Sequence, residues 1–129
     1  MREAAIAVFM TVMGLGIAGI WTRDIIAGTQ VDRSRGLRHA RDSNGSWLAP
    51  HWVAEYATSA ALLIASFGLF SGATWAPLAS AAALGSTWYT STNSLGWALA
   101  QPDRRPYAAP MAIGLIGSTL SLAALLAGP

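Results

Sequence analysis

His51 and Glu55 stand four residues apart in His51-Trp52-Val53-Ala54-Glu55-Tyr56. On a helix that spacing puts both on one face. An imidazole beside a carboxyl is a pairing suited to proton transfer. Asp24 supplies a second carboxyl, with Arg23 next to it. Further along, Tyr89, Asn93 and Trp97 repeat the four-residue spacing, and Trp88 adjoins them. Such a set suits acid/base chemistry on a lipophilic molecule: isomerisation, cyclisation or epoxide opening. Asp24 or Glu55 would donate the proton and His51 or the other carboxyl would accept it, while Trp88, Tyr89 and Trp97 face a carbocation-like centre. The catalytic candidates are therefore Asp24, His51 and Glu55. The substrate-binding candidates are Arg23, Tyr56, Trp88, Tyr89, Asn93 and Trp97.

Other chemistries find less support. There is no cysteine, which excludes a thiol nucleophile and thiolate metal sites. His39-x-x-Asp42 and His51-x-x-x-Glu55 hold ligand types that zinc, iron or manganese accept. They lack the His-Glu-x-x-His of zinc hydrolases, so no metal is expected. No glycine-rich phosphate loop or Gly-x-Ser-x-Gly elbow occurs, and no cofactor is expected.

The elements that must carry these residues are read from where charge is missing. No charged side chain falls between Glu55 and Asp103, between Glu3 and Arg23, or after Arg105. A bilayer-spanning helix needs about 20 mostly apolar residues. The long run has room for two spans and each shorter one for one. The chain is 53% hydrophobic and 11% charged, against about 25% charged in a soluble domain. We therefore expect an all-α, integral membrane four-helix bundle, antiparallel and up-down, forming a single transmembrane domain over 1–129. The helices are placed at about 4–28, 50–70, 75–100 and 109–127, with a polar loop at 29–49. The first run is longer than a signal-peptide core and no small-x-small cleavage site follows it, so it reads as a retained helix.

Arginine sets the orientation. Arg33, Arg35, Arg38 and Arg41 lie in the 29–49 loop, Arg23 just before it, and Arg104 and Arg105 between the third and fourth runs. Basic short loops stay cytoplasmic, so both loops are expected inside and both termini extracytoplasmic. Eight arginines with no lysine, in an alanine-rich chain, point to a GC-rich genome and a bacterial cytoplasmic membrane. The basic pI of about 9.7 reflects these loops, and no nucleic-acid partner is expected. Small residues at Gly14, Ala18 and Gly19, and at Gly114, Gly117, Ser118 and Ser121, suit close helix contact.

Depth ties the chemistry to the elements. Glu55 lies about 7 Å of helical rise beyond Pro50, Asn93 about 10 Å before Ala100, and Asp24 about 6 Å before Gly28. Three helices thus bring polar groups to similar depth on the cytoplasmic side. Ionisable groups there are costly and suggest function. Blander roles exist for each: Arg23 can snorkel to headgroups, Trp21, Trp47, Trp52, Trp97 and Tyr107 can anchor at the interface, and the Ser/Thr run of 86–94 can hydrogen-bond between helices. His51-x-x-x-Glu55 early in one membrane helix, with Asn93 and Trp97 on a later one, resembles the emopamil-binding family of sterol isomerases. In that family a His, acidic residues, an Asn and a Trp line an intramembrane pocket. The resemblance covers only these residues, and four helices are read here where that family has five. Three functional classes follow: a membrane enzyme acting on a lipophilic small molecule or lipid, an accessory or scaffold subunit with a membrane-protein partner, and a small transporter working as a homo-oligomer. A polar and aromatic pocket in the inner leaflet explains the residues on three helices together, and the 29–49 loop is a candidate lid over it.

Overall fold

The structure is a computed structural model, and it describes residues 1–27 and 48–127. Four α-helices occur among the described residues: α1 (Arg2–Ala27), α2 (Ala49–Phe70), α3 (Ala76–Ala100) and α4 (Ala108–Leu126). A short 3-10 helix, Pro102–Tyr107, precedes α4. There is no strand among these residues. The all-α, four-helix expectation holds.

Each boundary has a local cause. Pro50 occupies the first turn of α2 and Pro77 that of α3, where a missing N–H costs nothing. At the end of α2, Gly72 takes φ +68. Its N–H bonds to the Leu69 carbonyl at 3.2 Å, and Ala73 N–H bonds to the Gly68 carbonyl at 2.9 Å. This is a Schellman stop, and its left-handed residue favours glycine. The tight turn folds α3 back along α2, and Trp75 covers Gly68. At the other end Gln101 is extended before Pro102, as a residue preceding proline prefers.

Helices pack in chain order, α1 on α2, α2 on α3 and α3 on α4, with a slighter α1–α4 contact. Small residues set the close approaches. Gly14 lies under Leu63 and the Ser59 carbonyl, and its own carbonyl accepts a hydrogen bond from Ser59 at 2.7 Å. Gly114 meets Ser91 and Met13, and Gly117 seats the Phe9 ring.

The bundle buries an apolar core that includes Met10, Leu62 and Leu84, yet it also exposes large apolar side chains and buries hydroxyls, unlike a water-soluble bundle. Val12, Ile64 and Ile113 are each more than 60% exposed, while Ser80, Thr87 and Ser118 are fully buried. Apolar side chains cover most of the outside of α1, α2 and α4, while the outer face of α3 also exposes Ser86, Tyr89, Thr92 and Asn93. Three helical stretches, Arg2–Ile26, Ala49–Phe70 and Arg104–Leu126, are long and apolar enough to cross a membrane. The expected fourth span, α3, is long enough at 25 residues, but its hydroxyl-rich middle keeps it outside that set. Most of those hydroxyls are satisfied within α3: Thr87 bonds to the Ala83 carbonyl at 2.9 Å, Thr90 to Thr87 at 3.3 Å, and Thr92 to Trp88 at 2.7 Å. Such back-bonding lets a Ser/Thr-rich helix tolerate apolar surroundings.

Candidate functional site

At one end of the bundle α1 and α3 finish and α2 and α4 begin. Polar and aromatic side chains from α1, α2, α3 and the 3-10 helix that leads into α4 meet there. The centre is Glu55, 1% exposed. Its Oε1 accepts a hydrogen bond from Ser94 Oγ at 2.9 Å and lies 3.6 Å from His51 Nε2. The Trp21 indole N–H also approaches the carboxylate, without good hydrogen-bond geometry. Ser94 is an α3 hydroxyl turned toward another helix rather than to its own backbone.

A second carboxyl sits beside the first group. Asp24 is buried; its Oδ1 accepts from the Tyr107 hydroxyl at 2.7 Å and its Oδ2 lies 3.7 Å from Arg104 Nη1. Arg104 is 1% exposed, and its guanidinium carbon lies 4.7 Å above the Trp97 ring. Rings join the two halves. Trp21 meets His51 edge-on with centroids 4.7 Å apart, and Trp97 lies 6.3 Å from Trp21 and 6.1 Å from His51. One continuous cluster thus runs from Tyr107 and Asp24 through Arg104, Trp97, Trp21 and His51 to Glu55 and Ser94.

The sequence candidates divide cleanly. Asp24, His51, Glu55 and Trp97 are brought together. Tyr56 is half-buried at the edge of the group, its hydroxyl 2.8 Å from Thr22 Oγ1 on α1. Arg23 is exposed. Trp88, Tyr89 and Asn93 are exposed on the outer side of α3 and do not join the cluster. The inward face of α3 runs instead through Thr87, Thr90, Ser91 and Ser94. Trp97 sits at the border of the two faces, so the i, i+4 series ending on it selected the wrong one. Trp21, Ser94, Arg104 and Tyr107 were not among the candidates. Trp21 is three residues before Asp24 and Ser94 three before Trp97, spacings that share a helical face and that could have revealed them. Arg104 carried no such signal, because its charge already had a role in orientation.

No three His, Cys, Asp or Glu side chains gather as a metal site among the described residues. His39, Asp42 and the 29–47 part of the proposed lid lie outside the described residues. A cavity of about 220 Å³ lies at the opposite end of the bundle, lined by Glu3, Leu69, Thr74 and Pro77 among others, and has no part in this cluster.

Chemically, the arrangement brings a carboxyl and an imidazole side by side at ion-pair distance. Ser94 fixes Oε1 of Glu55, and the half-buried His51 stands between that oxygen and the exterior. The Asp24 carboxyl is occupied by Tyr107 and Arg104, whereas His51 Nε2 lies 3.6 Å from Glu55 Oε1 without a hydrogen bond. The Trp21 and Trp97 rings add apolar surface beside them. No protein family matches the chain, and no curated protein or solved structure matches it either.

Proposed function

We propose that this chain is an integral membrane protein, with α3 completing a four-span bundle, that binds a lipophilic small molecule at the loop end and acts on it by acid/base chemistry. His51 and Glu55 exchange the proton, Ser94 orients the carboxyl, and Trp21 and Trp97 offer ring faces to the ligand. Isomerisation, cyclisation or epoxide opening fits this equipment. The basic segments around 29–49 and 103–105 support a cytoplasmic position for this end, in what we read as a bacterial cytoplasmic membrane.

The observation that carries the reading is Glu55. It is a buried carboxyl met by polar groups of two other helices, inside a bundle whose α1, α2 and α4 turn apolar faces outward. Keeping an ionisable group there is costly, and such groups mark substrate or proton sites. The test is native mass spectrometry with extraction of co-purified small molecules, on wild type and Glu55→Gln. A specific lipophilic compound held by wild type and lost from the variant is expected. Empty wild-type protein would contradict the reading.

A second reading rests on a different surface. A Cβ added at Gly16 or Gly19 of α1, or at Gly85 or Gly96 of α3, would meet nothing within 4 Å. Open glycines let another helix approach closely, as in an accessory subunit or a small oligomeric transporter. A stoichiometric membrane partner in the same spectra would favour it.

A further inference from the structure

We infer that the outer face of α3 is an interaction surface whose occupant is the α3 of a second copy of this chain, the two helices running parallel about a two-fold axis along the membrane normal. The inference rests on the proposed four-span bundle and names the partner that its open glycines would admit.

Polarity on the wrong side of one helix is the first argument. α1, α2 and α4 turn Val12, Ile64 and Ile113 outward. α3 instead turns out Ser86, Tyr89, Thr92 and Asn93. Ser86 and Thr92 satisfy their hydroxyls on their own helix, at the Ala82 and Trp88 carbonyls. Asn93 and Tyr89 differ. Among the described residues no hydrogen bond engages the Asn93 amide or the Tyr89 hydroxyl. Tyr89 is 69% exposed and lies about 16 Å of helical rise before Ala100, at the middle of the span. Hydrocarbon offers these groups no water, and polar side chains at that depth turn to another helix. The 29–49 stretch is no candidate cover there, because Arg33, Arg35, Arg38 and Arg41 would enter hydrocarbon with it.

Pattern and chemistry choose the occupant. Ala82, Ser86, Tyr89, Asn93, Gly96 and Ala100 alternate steps of four and three along α3, and all are exposed. That is the seam of two parallel supercoiled helices, in which one asparagine fixes register and pairing. Most of its residues are small, and a Cβ added at Gly96 would meet nothing within 4 Å in one copy. Two backbones can therefore approach closely, which favours a dry contact over a water-filled passage. The face is also complementary to itself. α3 carries no charged side chain, so two copies do not repel. An amide and a hydroxyl each hold donor and acceptor. About a two-fold axis, residues on the seam meet their own counterparts, and Asn93 faces Asn93 at one depth.

The experiment uses the full chain. Sedimentation in density-matched micelles gives the monomer–dimer equilibrium. Single cysteines report the contact in membranes, since the chain has none of its own. A reversible dimer is expected, about tenfold weaker in Asn93→Val and at least as weak in Gly96→Ile. Gly16→Ile, an equally open site on α1, should leave the dimer unchanged and separates the α3 contact from a general effect of bulk. Under oxidation Ser86→Cys is expected to form a disulfide-linked dimer, and Val12→Cys and Ile113→Cys are not. A monomer at every concentration, a dimer indifferent to both α3 variants, equal cross-linking at all three positions, or a Ser86→Cys cross-link to a different protein would overturn the inference and leave the four-span bundle standing. So would labelling of Ser86→Cys but not Val12→Cys by a water-soluble maleimide in intact membranes, which would make α3 the wall of a water-filled passage. Labelling of both would remove the membrane bundle itself, and the inference with it.

Discussion

Arg104→Met removes a buried guanidinium while keeping most of the side chain's apolar length. Asp24 then loses the cation 3.7 Å away and keeps the Tyr107 hydroxyl at 2.7 Å. Breaking a buried pair by removing one partner costs about 3 to 5 kcal/mol. The surviving Tyr107 bond and the long ion-pair distance place this case at the low end, about 3 kcal/mol. Losing the cation over Trp97 adds about 1 kcal/mol. Asp24→Asn alone leaves Arg104 without that carboxylate and is expected to cost about 3 kcal/mol as well. Combining the two removes both charges, and a neutral replacement of a buried pair is often tolerated. The double variant is therefore expected to be more stable than Arg104→Met alone. The assay is unfolding in mixed micelles, titrated with a denaturing detergent and followed by far-ultraviolet circular dichroism. Single costs that sum in the double variant to within about 0.5 kcal/mol would mean that the two groups do not interact, and the reasoning would fail.

Three further outcomes can be checked with the same unfolding assay. Ser94→Ala removes the donor to Glu55 and is expected to cost about 1.5 to 3 kcal/mol if the carboxyl is ionised and about 1 kcal/mol if it is protonated; no loss would place Ser94 outside the site. Gly114→Ala drives a Cβ to 2.5 Å from Ser91 Oγ and 2.9 Å from Met13 Cε, a cost of about 1 to 3 kcal/mol that Ser91→Ala should partly relieve. Gly16→Ala and Gly85→Ala meet nothing within 4 Å and should be neutral or stabilising by up to about 1 kcal/mol, so destabilisation comparable to Gly114→Ala would contradict the packing described.

The helical class was legible because the charge-free runs leave few alternatives. The cluster was only half legible, for reasons that lie in particular helices. Asp24, His51 and Glu55 stand out in the sequence because charge is scarce around them, and all three reach the cluster. On α3 the polar residues 86–94 surround the helix, so hydropathy does not say which face turns inward. Asn93 attracted attention as the amide in the run, yet the small hydroxyl of Ser94 fits against α2 and Asn93 stays outside. Arg104 was hidden differently. A basic residue between two apolar runs reads as a topology signal, and only the 3-10 turn from Pro102 to Tyr107 brings it inward. The packing glycines were clearer: Gly14, Gly114 and Gly117 all meet a neighbouring helix, whereas Gly19 faces outward.

The proposed membrane bundle requires the exposed apolar faces of α1, α2 and α4 to meet lipid. The chain has no cysteine, so single cysteines can report this directly. Val12→Cys, Ile64→Cys and Ile113→Cys lie on exposed faces of α1, α2 and α4. In intact membranes a water-soluble maleimide should leave all three unlabelled, and each should react once the protein is unfolded in detergent. Labelling of these positions in intact membranes would put water where the account requires lipid, and would contradict it.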